Sequence, residues 1–310
     1  MIQNVNARKV IFIVCAVLCL TGLVTPPIAL LLGLLVAQFV GHPYIQHNKK
    51  YTTILLQVSV VGLGFGMDLH KGLEAGKEGF VFTLVSIVGT LILGALLGKF
   101  LKIERNTSHL VSSGTAICGG SAIAAIAPVL RAEEHQISVA LGIVFILNSI
   151  ALFIFPPIGK MLHMTDQQFG MWSAVAIHDT SSVVGAASAF SEEALKYATT
   201  IKLMRALWII PLALASAYIF KSPGAKIKIP YFIGYFVIAM CINTYVPGIE
   251  AVAPVIVKFA KLGLTLTLFL IGSGLSKKVL RSVGLKPFVQ GVVLWIAISA
   301  TALWAVLSLG

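Results

Sequence analysis

His178 and Asp179 stand side by side in AIHDTSSVV (176–184), a stretch otherwise made of apolar and hydroxyl residues. An imidazole beside a carboxylate can hand a proton on, and the neutral forms of both are the ones that an apolar medium favours. Thr180 and Ser181 follow with hydroxyls that can cap a helix or hold a solute. A second stretch, IKLMRALWIIP (201–211), places Lys202 and Arg205 three residues apart on one helix face. Guanidinium forks suit carboxylates and tetrahedral oxyanions. A third stretch, SGTAICGGSAIAAIAP (113–128), carries no charge, but sets the hydroxyls of Ser113, Thr115 and Ser121 around Gly119 and Gly120. A helix broken at such glycines frees backbone N–H groups that can point at an anion. The three stretches suggest one site. In it Ser113, Thr115, Gly119, Gly120, Ser121, Thr180, Ser181, Lys202 and Arg205 bind a small anion, while His178 and Asp179 couple its movement to H+ or Na+.

What positions these residues is an apolar chain. Of its residues 58% are hydrophobic and 11% charged, against roughly 25% charged in soluble domains. The apolar residues fall in blocks long enough to cross a bilayer as helices. Spans are expected near 10–24, 27–41, 53–68, 79–99, 109–131, 136–156, 169–190, 197–220, 231–247, 252–275 and 288–308. The Pro26–Pro27 break between the first two can equally make a kink or a hairpin. The glycines and His178–Asp179 then fall halfway across their spans. Backbone can be irregular at that depth only where protein or a water-filled cavity satisfies it, and charge there costs at least about 2.5–3.5 kcal/mol. The plainer readings are close helix packing through Gly120 and Ala124, a structural His178–Asp179 pair, and a Lys202 that snorkels. Lys258 and Lys261 suit snorkelling better than binding, and Gln57, Asn148 and Asn243 suit interhelical hydrogen bonding.

The chain has 23 Lys+Arg against 11 Asp+Glu, but the distribution argues for a membrane and not for nucleic acid. With alternating spans, the segments on the N-terminal side hold 15 Lys/Arg and the opposite loops hold 4. Such a bias puts the N-terminus inside and, on an odd span number, the C-terminus outside. Attraction to anionic lipid accounts for the basic balance. Arg8 and Lys9 precede an apolar run without a small-x-small cleavage site, so a retained span is expected there. Cys15, Cys19, Cys118 and Cys241 lie within spans in no metal-type spacing, which suits buried thiols. No metal and no cofactor is expected. The chain carries no GxxxxGK[ST], GxSxG or HExxH, which disfavours a pump or an enzyme.

Two internal echoes appear. GLGFGMDL (62–69) aligns with LIGSGLS (270–276) at an offset of 208, pairing the third span with the tenth and running them in opposite directions. Inverted copies of that kind mark secondary transporters. AICGGSAIAA (116–125) aligns with AIHDTSSVVG (176–185), but on alternating spans these two run the same way and are not inverted partners.

Through SGTAICGGSAIAAIAP, FPPIG (155–159), FGMWSAVAIHDTSSVV (169–184), IKLMRALWIIP and GSGLS (272–276), nearly the whole chain resembles the YeiH-type family. That family is described as sulfate exporters and is grouped with cation/proton antiporters and anion transporters. The resemblance implies a single all-α membrane domain over 1–310, with interrupted crossing helices beside a panel of regular ones. It further implies a multi-pass protein of the bacterial inner membrane that moves sulfate, a sulfonate or another small anion by alternating access. An intramembrane enzyme and a passive anion channel are the competing readings, and a homodimer is the assembly considered.

Overall fold

The structure, a computed structural model, describes residues 5–220, 231–275 and 283–309. All regular structure among them is helical. Six of the basic residues counted above, Lys221, Lys226, Lys228, Lys277, Lys278 and Arg281, lie outside the described residues, as does Ser276 of the second glycine echo.

One group of helices is regular and packs through small residues. It comprises α1 (Val5–Leu20), α2 (Pro26–Leu35), α3 (Ile45–Gly64), α12 (Tyr231–Tyr245) and α13 (Ala253–Gly274). Pro26 opens α2, where a missing N–H costs nothing. The α2 and α13 backbones touch at Gly33 and Gly272. A Cβ on either would collide with the main chain of the other helix, so only glycine fits. Gly62 and Gly66 of the first echo rest on Ala260 and Val257 of α13, and Gly263 on Ser59, so α3 and α13 run antiparallel. That agrees with the inverted pairing of the third and tenth spans.

The other group holds α4 (Leu69–Phe100), α5 (Arg105–Ala116), α6 (Gly120–Leu130), α7 (Glu134–Met161), α8 (Asp166–Ala176), α9 (Thr180–Phe190), α10 (Glu192–Leu207), α11 (Ile209–Ile219) and a C-terminal helix, Leu285–Leu309. Asp68 caps α4 by accepting from His70 N and Lys71 N, and Thr165 with Gln168 forms a capping box on α8. The step from α10 to α11 at Trp208 has a local cause: Pro211 offers no N–H to Leu207 O, and its ring crowds that carbonyl.

Segments 109–131 and 169–190 are broken where the sequence suggests, but neither runs straight on. Each folds back. Asn106 Nδ2 at the start of α5 donates to Leu130 O at the end of α6 over 3.5 Å, and a Cβ on Gly114 would touch Ile123. Likewise the Phe169 and Phe190 rings stack with centroids 4.1 Å apart, and Ser191 Oγ donates to Asp166 Oδ1 over 2.5 Å. A straight broken helix would hold these ends on the order of 30 Å apart at 1.5 Å per residue. The expectation of two interrupted crossing helices is therefore corrected to two helical hairpins, α5–α6 and α8–α9.

The hairpins enter from opposite ends. Along α7, the Gln136 side chain lies at the mouth of the first hairpin beside Glu104. Val144 meets Gly114 and Gly119, Asn148 bonds the second tip, and Gly159 abuts Phe169 and Phe190 at the second mouth. Helix α10 repeats the order in reverse. It starts beside Gly170 and passes both tips, and its continuation α11 ends with Ser216 Oγ hydrogen-bonded to His109 Nε2 at 2.8 Å. The 116–125 and 176–185 echoes are thus inverted in space, contrary to the parallel placement that alternating spans imply.

Among the described residues five helices are long and apolar enough to cross a membrane, or six if α3 and the first turns of α4, bent by 109°, count as one span. Val81, Val85, Ile92 and Leu96 on α4 are each more than half exposed. A continuous apolar face of that size would aggregate in water and is at home in lipid.

Candidate functional site

The two tips meet in the interior, each solving the same problem with different residues. Tip one, Ile117–Gly119, turns on Gly119 at φ 55° and ψ −115°, a conformation open to glycine alone. A Cβ there would also lie 2.8 Å from Val144 and 3.0 Å from His178 O, so the main chains of the two tips are nearly in contact. Tip two, Ile177–Asp179, is anchored by its backbone and capped by its own side chain. His178 N donates to Asn148 Oδ1 over 2.9 Å. Asp179 Oδ2 accepts from Ser181 N (3.1 Å) and Ser182 N (3.3 Å), and from both serine hydroxyls. A carboxylate here satisfies the amides that open α9 and is favoured by the helix dipole.

Each fold-back also strands carbonyls at the C-terminal ends of α5 and α8. Lys202 and Arg205 answer both. Lys202 Nζ donates to Ile117 O (2.9 Å), Ala174 O (3.2 Å) and Ile177 O (2.6 Å), which uses all three of its N–H bonds and ties one tip to the other. Arg205 Nη2 donates to Ala116 O and Nη1 to Ser86 Oγ, 2.7 Å away. Both side chains are fully buried. The C-terminal dipole ends of two half-helices offset their charge, in part, where no lipid-facing position could. Snorkelling by Lys202 is therefore set aside: its ammonium points into the protein.

The residues drawn from the sequence lie at the two tips or beside them on α10. Lys202 and Arg205 hold backbone carbonyls. Thr180 and Ser181 sit buried in the first turn of α9, Ser181 tied to Asp179. Ser113 and Thr115 are buried on α5 with unpartnered hydroxyls, and Gly120 and Ser121 open α6, whose N-cap Gly119 supplies no side-chain bond. Ser121 is exposed. Both ring nitrogens of His178, Asn148 Nδ2 and Arg205 Nε are likewise buried without a partner. Six of the orphaned polar atoms thus belong to five residues at or next to the tips, and orphans of this kind call for an explanation such as a ligand or water. Ser86 was not legible as a site residue, since a lone serine in an apolar span carries no signal. Asn148 was legible only as interhelical glue, and that is how it acts. Among the described residues no three His, Cys, Asp or Glu side chains come together as a metal site.

Two cavities lie against α10, and neither is lined by a residue of the tips. One of about 250 Å³ is apolar and lies between α4 and the α10–α11 step, near Phe80, Met204 and Trp208. The other, about 330 Å³, lies between the two helix groups on the side of the second hairpin and is lined by Glu192, Lys196, Thr199, Asn243, Glu250 and Lys261. Thr199 is one turn along α10 from Lys202. Lys261 donates to Glu192 Oε1 over 2.6 Å across this cavity, joining the groups.

Residues 10–291 match a family described as conserved hypothetical protein 698. A UPF0324 membrane protein of Bacteroides thetaiotaomicron is 61% identical over 282 residues, covering 90% of this chain and 86% of the relative. One from Porphyromonas gingivalis is 55% identical over 289 residues, covering 91% and 87%. UPF0324 membrane protein Bd1437 of Bdellovibrio bacteriovorus is 49% identical over 311 residues, covering 98% and 96%. No solved structure matches the chain significantly.

Proposed function

The chain belongs to the family of UPF0324 membrane proteins, which is the YeiH-type family, and on that premise we propose that it is a secondary active transporter of a small anion. One observation carries the reading: two hairpins enter from opposite ends and are fastened tip to tip by a single buried ammonium, that of Lys202. Irregular backbone meeting at mid-depth from both sides is the arrangement that lets a site open alternately to either face.

In this reading the closed tips are an occluded state. Nine segments cross the membrane and the two hairpins are re-entrant. Folding the hairpins back moves Arg131 to the N-terminal side and Lys160 to the opposite one, so the 15 to 4 distribution is unchanged. It supports an N-terminus inside and a C-terminus outside a bacterial plasma membrane. The anion, a sulfate, sulfonate or small carboxylate, meets the unpartnered hydroxyls of Ser113 and Thr115 and the start of α6 at Gly119–Ser121, which has no side-chain cap although Gly119 N and Ser121 N already donate to Gly114 O and Cys118 O. Thr180 and Ser181 contribute from α9. Asp179 already occupies the amides of α9, so it serves as the coupling group for H+ or Na+, with His178 beside it. Lys202 and Arg205 supply the positive field and hold the tips in register.

The test is flux in proteoliposomes under an imposed pH or Na+ gradient, with labelled sulfate, sulfite, taurine and small carboxylates. Wild type accumulates at least one of them against its gradient. Asp179→Asn keeps the cap but cannot titrate, and should still bind that anion while losing gradient-driven accumulation. Accumulation by Asp179→Asn at the wild-type level would remove the coupling role, and gradient-independent leak in wild type would make the protein a channel.

A further inference from the structure

The first 67 residues contain no Asp or Glu, yet they carry Arg8, Lys9, Lys49 and Lys50. Two side chains of this region lie at one corner. Helix α2 ends in a wide π-helical turn, Val36–Val40, closed by Gly41 at φ 85°. A Cβ on Gly41 would lie 2.7 Å from Arg8 Nη2, so the missing side chain is what lets the guanidinium lie against this corner. One turn along α1, Phe12 packs on His42 with ring centroids 4.7 Å apart.

Arg8 Nε and His42 Nε2 are both buried and both without a partner. Their chemistry can be read further. Tyr44 N donates to His42 Nδ1 over 3.0 Å, and only an unprotonated nitrogen can accept that bond. The neutral ring therefore carries its proton on Nε2. Burial holds the His42 imidazole below its usual range, opposed in part by the Asn48 side chain. That amide is itself committed, to Leu270 O at 2.9 Å and to the Thr52 hydroxyl. Both orphans are thus N–H donors, one on a permanent cation, and no carboxylate of this part of the chain is available to them.

Unpartnered donors at one corner, one with a fixed positive charge, complement a phosphate oxygen. We propose that Arg8 and His42 clip the phosphate of an anionic phospholipid at the Gly41 corner. A lipid fits better than a free oxyanion because the surroundings are amphipathic. Val10, Val14 and Val17 on α1 and Phe39 beside the corner are each more than half exposed, as surfaces for acyl chains, and Lys9, Lys49 and Lys50 add attraction for an anionic headgroup. The clip would fasten the short α1–α2 pair to the bilayer surface and does not depend on what the hairpins carry.

Purified full-length protein in a neutral detergent is given phosphatidylglycerol, phosphatidylcholine or inorganic phosphate. Thermal unfolding and native mass spectrometry are then read together. Phosphatidylglycerol should raise the unfolding midpoint and remain as an adduct, with phosphatidylcholine giving less than half the shift. Arg8→Met should lose at least half of the phosphatidylglycerol shift, and so should His42→Phe, which keeps the ring on Phe12 and therefore the packing. Lys160→Met, an exposed cation in the last turn of α7 in the other helix group, should retain the shift. Equal shifts in wild type, Arg8→Met and His42→Phe would overturn the site. An equal shift from inorganic phosphate would overturn the lipid as its occupant.

Discussion

The two hairpins turn at the same depth, yet one turns on a residue without a side chain and the other on a charged one. At the first tip Gly119 supplies a backbone angle and leaves the start of α6 without a side-chain cap. At the second, Asp179 keeps ordinary extended angles and spends its carboxylate on the amides of α9. What they share is the other half of the problem. The carbonyl ends of α5 and α8 depend on donors from α10, a helix belonging to neither hairpin. On the proposed function the difference becomes a division of labour: a helix start without a side-chain cap for the anion, and an acidic cap for coupling. The common dependence on α10 implies that neither tip is closed independently of the other.

Removing that dependence should have the largest effect. Lys202→Met deletes a costly buried charge, which alone can stabilise, but strands three carbonyls at about 1–3 kcal/mol each. The carbonyls outweigh the charge, and a net loss of about 2–4 kcal/mol is expected in the thermal unfolding of purified protein. Wild-type stability with lost anion binding would instead make Lys202 a ligand and the two tips independent.

Gly119→Ala comes next. It places a side chain in a glycine-only region and 2.8 Å from Val144, at a cost of about 1–3 kcal/mol. Asp179→Asn at the partner tip should cost less than about 1 kcal/mol, because the amide oxygen still caps α9. If the two variants lose equal stability, the contrast between a conformational tip and a chemical tip fails.

How far this was legible follows the same contrast. The breaks were visible because adjacent glycines, and His178 with Asp179, are costly in a lipid-embedded helix. The fold-back was not visible. A helix of about 22 residues and two half-helices with a turn have the same apolar length, and swapping Arg131 for Lys160 leaves the charge bias unaltered. Contacts such as Asn106 to Leu130 decide between them, and these join residues 24 apart for reasons no local pattern encodes. In the sequence Lys202 and Arg205 are cations within an apolar span that suit a solute, with snorkelling as the plainer reading of Lys202, because a sequence displays charges but not the carbonyls that a broken helix exposes. The Glu192–Lys261 pair illustrates the same limit, with Lys261 read as a snorkelling residue.

That pair offers the smallest and last test, at the mouths. The first hairpin's mouth closes on neighbouring elements, Asn106 to Leu130 and Glu104 to Gln136. The second opens into α10, whose first residue, Glu192, reaches across to Lys261 of the regular helix group. With Glu192 63% and Lys261 39% exposed, solvent screens the pair, and Glu192→Gln should shift stability by less than about 1 kcal/mol. Its kinetic effect should be easier to see. If the hairpin group moves against the regular group, this bond breaks in every cycle, and weakening it by about 0.5 kcal/mol speeds flux about two-fold. A matched variant at the first mouth, Asn106→Ala, crosses no such boundary and should leave the rate unchanged. Equal acceleration in both would place the moving boundary elsewhere, and slower flux in Glu192→Gln would show that the pair guides the motion instead of restraining it.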